Sequence, residues 1–286
     1  MVRCGKKGWW QLPGIDDGDV VLAAKDVVVR YGGVIAVDGL SLDVRAGEAV
    51  GLIGPNGAGK STALGALGGQ VKTVSGSITL AGREVHKLSS YRRARLGLVR
   101  TFQSTSEFGD MTTFENLVTA GNGYSGARLT RVVFHRKASL AADRAIADRA
   151  WEMLERFDMA EKANTYAREL SGGQRRLVEI MRCLMSTPKV LLLDEPMVGV
   201  APHLVEKLVN DLIAIRDEGI AIVIVEHALE VVKALSNRVV VMSFGPIMST
   251  ISPRPTCMLT LWTIGVLLYP ELTPATSRNG FTLATI

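Results

Sequence analysis

Residues Gly54, Pro55, Asn56, Gly57, Ala58, Gly59, Lys60, Ser61 and Thr62 place three glycines, a lysine and two hydroxyls between an apolar run and a segment with helical spacing. They satisfy GxxxxGK[ST], a pattern whose chemistry is phosphate binding. Gly57 and Gly59 let the backbone bend so that successive N–H groups converge on phosphate oxygens, and a helix opening near Lys60 adds the positive end of its dipole. Lys60 is then placed to reach the terminal phosphates. Ser61 offers its hydroxyl to Mg²⁺, a cation that keeps several waters and takes few protein ligands.

A second constellation is "VLLLDEP", an apolar strand that ends in Asp194 and Glu195. Nothing in β propensity asks for paired carboxylates at a buried strand end, so a cation is implied. Asp194 suits the Mg²⁺ hydration shell, and Glu195 suits a general base or an orienter of the attacking water. Taken alone, the pair also reads as a strand passing into solvent. Three further residues are ambiguous by themselves: His227 is a candidate core or cap histidine, Gln103 an ordinary loop amide, and Tyr31 a common sheet residue.

"LSGGQ", residues 170–174, reads as another anion cradle. Ser171 stands at an N-cap position, Gly172 and Gly173 allow close approach, and Gln174, Arg175 and Arg176 follow in the first helical turn. One nucleotide does not need two cradles on one chain. A second cradle makes sense if it closes over a nucleotide held by another copy, in a head-to-tail dimer with ATP at the interface.

These residues need elements to hold them. Residues 20–29 are β-rich, 34–44 alternate apolar and polar, and 48–54 form a short buried strand that runs into the phosphate loop and a helix over 60–69. Further strands are expected over 76–82 and 96–103. From 112 to 167 the character is helical, with Leu140, Ile146, Ala150, Met153, Leu154 and Phe157 as an apolar stripe. Beyond it, helices over 173–186, 202–217 and 228–236 alternate with strands over 189–194, 219–226 and 238–242. Such alternation implies a parallel sheet wrapped by helices.

Composition bounds the remaining possibilities. The 286 residues are 47% hydrophobic, enough for a substantial core, and the net charge of +5 is a modest excess. Cys4, Cys183 and Cys257 lie far apart, with neither disulfide nor zinc spacing, which fits a reducing compartment. The basic run at 128–137 carries only one aromatic ring besides His135, that of Phe134, and reads as a solvated segment rather than a nucleic-acid patch. The N-terminus lacks the apolar core of an export signal. "TCMLTLWTIGVLLYPEL", residues 256–272, is apolar, but it is interrupted by threonines and short for a membrane span.

Over about residues 20–251 the chain resembles the ATP-binding subunit of ABC transporters, on "GPNGAGKST", "LSGGQ" and "VLLLDEP" in that order and spacing. The resemblance implies an α/β P-loop NTPase fold of the ABC nucleotide-binding type. Its parts are a mainly parallel core sheet, an antiparallel β region and a helical subdomain at about 104–186, flanked by an N-terminal extension (1–19) and an atypical tail (252–286). It implies ATP and Mg²⁺, with Tyr31 stacking on adenine, Gln103 sensing the γ-phosphate and joining Ser61 and Asp194 as a metal ligand, and His227 acting as the γ-phosphate switch beside Lys60, Glu195 and Gln103 in the catalytic set. Implied partners are a second ATPase subunit, identical or similar, transmembrane permease subunits and, indirectly, a substrate-binding protein. Nucleic acid is not among them. The implied location is peripheral, on the cytoplasmic side of the inner membrane, with Arg100 and the helical subdomain facing the permease.

More narrowly, "LGLVRTFQ", "MTTFENLV" and "EPMVGVAP" resemble importers of branched-chain amino acids, with urea and other small-solute importers as the alternative. The sequence departs from its family at Ala201, where many members carry Asp or Asn, and again in the tail, which lacks the usual polar, Glu-rich helix. Membrane contact by the tail is one expectation; a divergent or frame-shifted end, dispensable for ATP chemistry, is the favoured one. A DNA-repair or chromosomal ABC ATPase would require a long coiled coil between Gln103 and Ser171, and none is present. A tandem-cassette translation factor would need a second phosphate loop. A scaffold without turnover is disfavoured by the presence of Asp194, Glu195 and His227.

Overall fold

The computed structural model describes residues 18–101, 108–121, 136–242, 249–252 and 282–283. Two long strands, β1 (Val20–Tyr31) and β2 (Val34–Arg45), pair antiparallel, and β4 (Ser75–Leu80) and β5 (Arg83–Glu84) extend them in the order β2-β1-β4-β5. The second sheet contains β3 (Ala49–Ile53), β6 (Leu98–Arg100), β7 (Val190–Asp194), β8 (Ala221–Val225) and β9 (Arg238–Val241), parallel to one another in the order β9-β3-β8-β7-β6. Of the strand expected over 96–103, the described residues show Leu98–Arg100, begun after Gly97 turns the chain at φ 100°; residues 102–103 lie outside the described residues.

The central strands are buried on both faces, so their side chains divide between two cores. Leu191, Leu193, Ile222 and Ile224 face one core, whereas Val190, Leu192, Val223 and Val225 face the other. The second core is shared with the antiparallel sheet and with α1 (Lys60–Gly68), whose Ala63, Leu64, Ala66 and Leu67 are all inaccessible to solvent. A helix with no polar face must be sandwiched, and α1 is held between the two sheets.

The first core is helical. It packs α3 (Thr113–Ala120), α4 (Arg136–Arg156) and α5 (Gly172–Met185) with α6 (Pro202–Asp217) and α7 (Leu229–Leu235). The α4 stripe is as expected for Ile146, Ala150, Met153, Leu154 and Phe157, which are buried together. The short helix α2 (Ser90–Arg95) precedes β6.

At the far edge, β10 (Ser249–Ser252) pairs antiparallel with β9, and β11 (Thr282–Leu283) pairs with β10 through Ile251–Leu283 and Ser252–Thr282. The apolar stretch 256–272 lies outside the described residues. Among the described residues, no helix is long and apolar enough to cross a membrane.

One buried cation had no sequence signal. Arg93, on α2, is 1% exposed, and its guanidinium donates to the carbonyls of Ala66 (2.7 Å), Leu67 (2.6 Å), Leu88 (3.0 Å) and His86 (2.9 Å). The first two belong to the C-terminal turn of α1, where the dipole is negative and carbonyls are short of partners, although the Gly69 N–H also reaches the Ala66 carbonyl at 3.3 Å. Burial pulls the guanidinium down to about 10, which still leaves it charged at neutral pH. Arg93→Met is therefore expected to cost about 2–4 kcal/mol by stranding these carbonyls, read as a lower denaturation midpoint. Arg93→Lys should recover only part of the loss, because an ammonium cannot reproduce the fork.

Candidate active site

The parallel register brings the chemistry to one edge. Leu52 of β3 pairs with Val225 of β8, and Val225 pairs with Asp194 of β7, while Arg100 of β6 pairs with Leu192. The segments that leave the carboxyl ends of these strands therefore emerge side by side, the usual position for ligand sites in open α/β sheets.

The loop after β3 wraps tightly. Gly59 caps α1 at φ 85°, and a Cβ there would lie 2.1 Å from the Ala36 carbonyl oxygen, so only glycine fits. Lys60 is buried, and its ammonium donates to the carbonyls of Gly54 (2.8 Å) and Pro55 (3.0 Å), folded back into its own loop. Burial lowers its pKa, while Glu195 and Asp194 act in the opposite direction.

Asp194 is 2% exposed, and its surroundings compensate its charge. Oδ1 accepts from the Ser61 hydroxyl at 3.2 Å, and Oδ2 accepts from Arg100 Nη2 at 2.8 Å. Its own N–H donates to Thr101 Oγ1 at 3.3 Å, and its carbonyl accepts from Arg176, which also ion-pairs with Glu179. The expectation that Arg100 faces outward to a partner is corrected here. Its guanidinium turns inward because a carboxylate buried at a strand end needs a cation nearby.

Glu195 adopts φ 48°, a left-handed conformation that a residue carrying a Cβ resists, at a cost of about 1–3 kcal/mol. Its N–H donates to the Val225 carbonyl at 2.9 Å, which anchors the turn to β8. The carboxylate is aimed at His227, with Oε1 3.1 Å from Nε2, and both side chains are partly exposed.

Glu226, absent from the sequence-based site, explains how this pair is held. It is 4% exposed, and its two oxygens accept from the N–H groups of Met197 (2.8 Å) and His227 (3.1 Å). It thereby pins the loop after β7 to the end of β8. An acidic residue before His227 was visible in "VIVEH", but its partner lies far away in sequence.

The Ser171–Gln174 segment opens a helix, as its spacing predicts. Ser171 caps α5 by accepting from the Gln174 N–H at 3.3 Å, and Gln174 Oε1 accepts from the Ser171 N–H at 3.0 Å, a reciprocal capping box. Gly172 is exposed, whereas Gly173 is packed so closely that a Cβ would lie 3.2 Å from Val200 Cα. Ala201 caps α6 without a side-chain hydrogen bond, and Pro202 follows it. Tyr31 ends β1 with its side chain 54% exposed, on the β1–β2 hairpin whose Ala36 abuts Gly59. Gln103 and its expected roles lie outside the described residues. The structure thus gathers Lys60, Ser61, Asp194, Glu195 and His227, and leaves Ser171–Gln174 on a separate helix end.

The donor set fits a magnesium nucleotide. A glycine-walled loop at a helix N-terminus suits phosphates, and a hydroxyl 3.2 Å from a carboxylate suits a cation that takes few protein ligands. The family model described as ABC transporter matches residues 37–198. The high-affinity branched-chain amino acid transport ATP-binding protein LivG of Salmonella typhimurium is 37% identical over 240 residues, covering 82% of this chain and 92% of its own. The chain belongs to the ABC transporter family.

Solved structures agree with this assignment. An ATP-binding cassette of an ABC transporter in its ADP conformation is similar at 32% identity and TM-score 0.69, covering 82% of this chain and 91% of that one. A dimeric bacterial ABC transporter cassette is similar at 25% identity and TM-score 0.66, covering 78% and 94%. The chain is an ABC ATP-binding subunit, an ATPase that uses ATP with Mg²⁺. Cassettes of this family form dimers and work with permease subunits in membrane transport systems.

Glu226→Ala should cost about 1–3 kcal/mol by stranding two buried N–H groups, and should lower ATP turnover by more than the unfolded fraction explains. Thermal unfolding and phosphate release, measured on one preparation, check this.

Proposed function

We propose that this chain is the energy-coupling ATPase of an importer for branched-chain amino acids. The observation that carries the reading is the Glu195–His227 contact of 3.1 Å beside the Ser61–Asp194 pair, in a chain 37% identical to LivG. When bound, Mg²⁺ neutralises charge on the terminal phosphates of ATP. Ser61 and Asp194 are the residues that would hold it. Lys60 exchanges its two loop carbonyls for phosphate oxygens. Glu195 orients the attacking water and accepts its proton, and His227 fixes the direction in which that carboxylate points.

The exposed Ser171–Gly172 end of α5 is the surface that would close on the nucleotide of a second subunit, identical or similar. Ala201 lacks a side-chain donor or acceptor, so the contact across that interface is made there by backbone. The Gln103 loop and the helical subdomain at about 104–186 serve the permease, and a substrate-binding protein acts through it. The cassette spans about 20–251, between the 1–19 extension and the 252–286 tail. The subunit is peripheral, on the cytoplasmic side of the membrane, and the reading involves no nucleic acid.

Glu195→Gln tests the chemistry. ATP binding should persist, an ATP-dependent dimer should accumulate on size exclusion, and phosphate release should fall about 10²- to 10⁴-fold. Unchanged turnover would overturn the assignment of Glu195. For the solute, ATPase activity of the subunit reconstituted with its permease and binding protein should rise with leucine, isoleucine or valine and not with urea.

A further inference from the structure

Among the described residues, Arg100 is the one full cation hydrogen-bonded to the carboxylate that would carry the metal. Both carboxylate oxygens are engaged: Oδ1 by the Ser61 hydroxyl at 3.2 Å and Oδ2 by Arg100 Nη2 at 2.8 Å. These are the same two residues, Ser61 and Asp194, that would hold Mg²⁺.

The seat of the guanidinium is built by the fold. Nη1 donates to Gln70 Oε1 at 3.2 Å, Nη2 also approaches the Ser61 carbonyl at 3.4 Å, and the side chain is 15% exposed. Its passage along α1 exists because residue 65 is glycine: a Cβ there would lie 3.1 Å from Nη1. Charge-assisted contacts in such partly buried surroundings are strong, and a second cation arriving at the same carboxylate meets the first one's repulsion. The neutral oxygens of Gln70 and Ser61 give the guanidinium somewhere to stay once it leaves the carboxylate.

We propose that Arg100 is a resident counter-cation for Asp194 that Mg²⁺ must displace, and that it thereby sets the metal concentration at which this ATP site fills. The proposal rests on the ATPase reading above. In the metal-free protein Arg100 keeps a buried carboxylate compensated; with metal present it is a competitor. Removing it should therefore tighten metal binding, a gain that a merely damaged site does not produce.

The test uses the full chain carrying Glu195→Gln, so that ATP is not consumed, with Mn²⁺ as the probe and free Mn²⁺ followed by electron paramagnetic resonance. Adding Arg100→Gln should lower the free Mn²⁺ needed for half-saturation in the presence of ATP by about tenfold, the size of one such charge contact. Arg100→Lys, which keeps the charge without the fork, should shift it less. Binding of a fluorescent ATP analogue in EDTA should change little in either variant. An unmoved or raised Mn²⁺ midpoint in Arg100→Gln, with analogue binding intact, overturns the proposal alone, since Arg100 would then orient Asp194 for the metal. Failure of the unsubstituted chain to bind the analogue would overturn the nucleotide reading and this proposal with it.

Discussion

A carboxylate that is 2% exposed at the end of an apolar strand is the constraint on which this structure turns. Left uncompensated, the Asp194 charge would cost several kcal/mol. The fold answers with the Ser61 hydroxyl from α1 and Arg100 from the end of β6 on the carboxylate, while the backbone of Asp194 is fixed by Thr101, which accepts from its N–H, and by Arg176 of α5, which donates to its carbonyl. Three separate elements are thereby held in register around one residue. The pair proposed to hold the metal, Ser61 and Asp194, thus sits where α1, β6 and α5 meet the end of β7.

The same logic governs the placement of α1. A phosphate-binding loop has to be rigid before its ligand arrives, because ordering it afterwards would weaken binding. Here the helix behind the loop is encased by two sheets, and its C-terminal carbonyls are gripped by Arg93. The positive end of the helix faces the site, and the negative end is neutralised inside the protein. Two arginines, Arg93 buried and Arg100 partly buried, thus perform unrelated tasks at α1 with the same chemistry.

What could be read from the sequence depended on how local each interaction is. The phosphate loop and the Ser171–Gln174 capping box are made within a few residues, and their spacing alone specified them. The central strands were legible as apolar runs, and the α4 stripe by its helical period. Arg93, Glu226 and the inward turn of Arg100 were not legible, since each gains its meaning from a partner on another element. Arg100 in particular, read by resemblance, was directed to the wrong face. Nothing in "LGLVRTFQ" says on which side of the strand end its guanidinium finds a carboxylate. Thr282–Leu283, from a tail that matched no pattern, pairs with the edge strand through backbone hydrogen bonds, which carry no side-chain signature.

The left-handed backbone of Glu195 has a consequence for anyone who would improve this protein in the laboratory. Relieving the strain at that position is a simple route to heat resistance, and glycine or asparagine would do it. A selection for survival at high temperature would therefore draw substitutions to the one side chain that faces His227. On the proposed reading, robustness and turnover are therefore set against each other at a single residue.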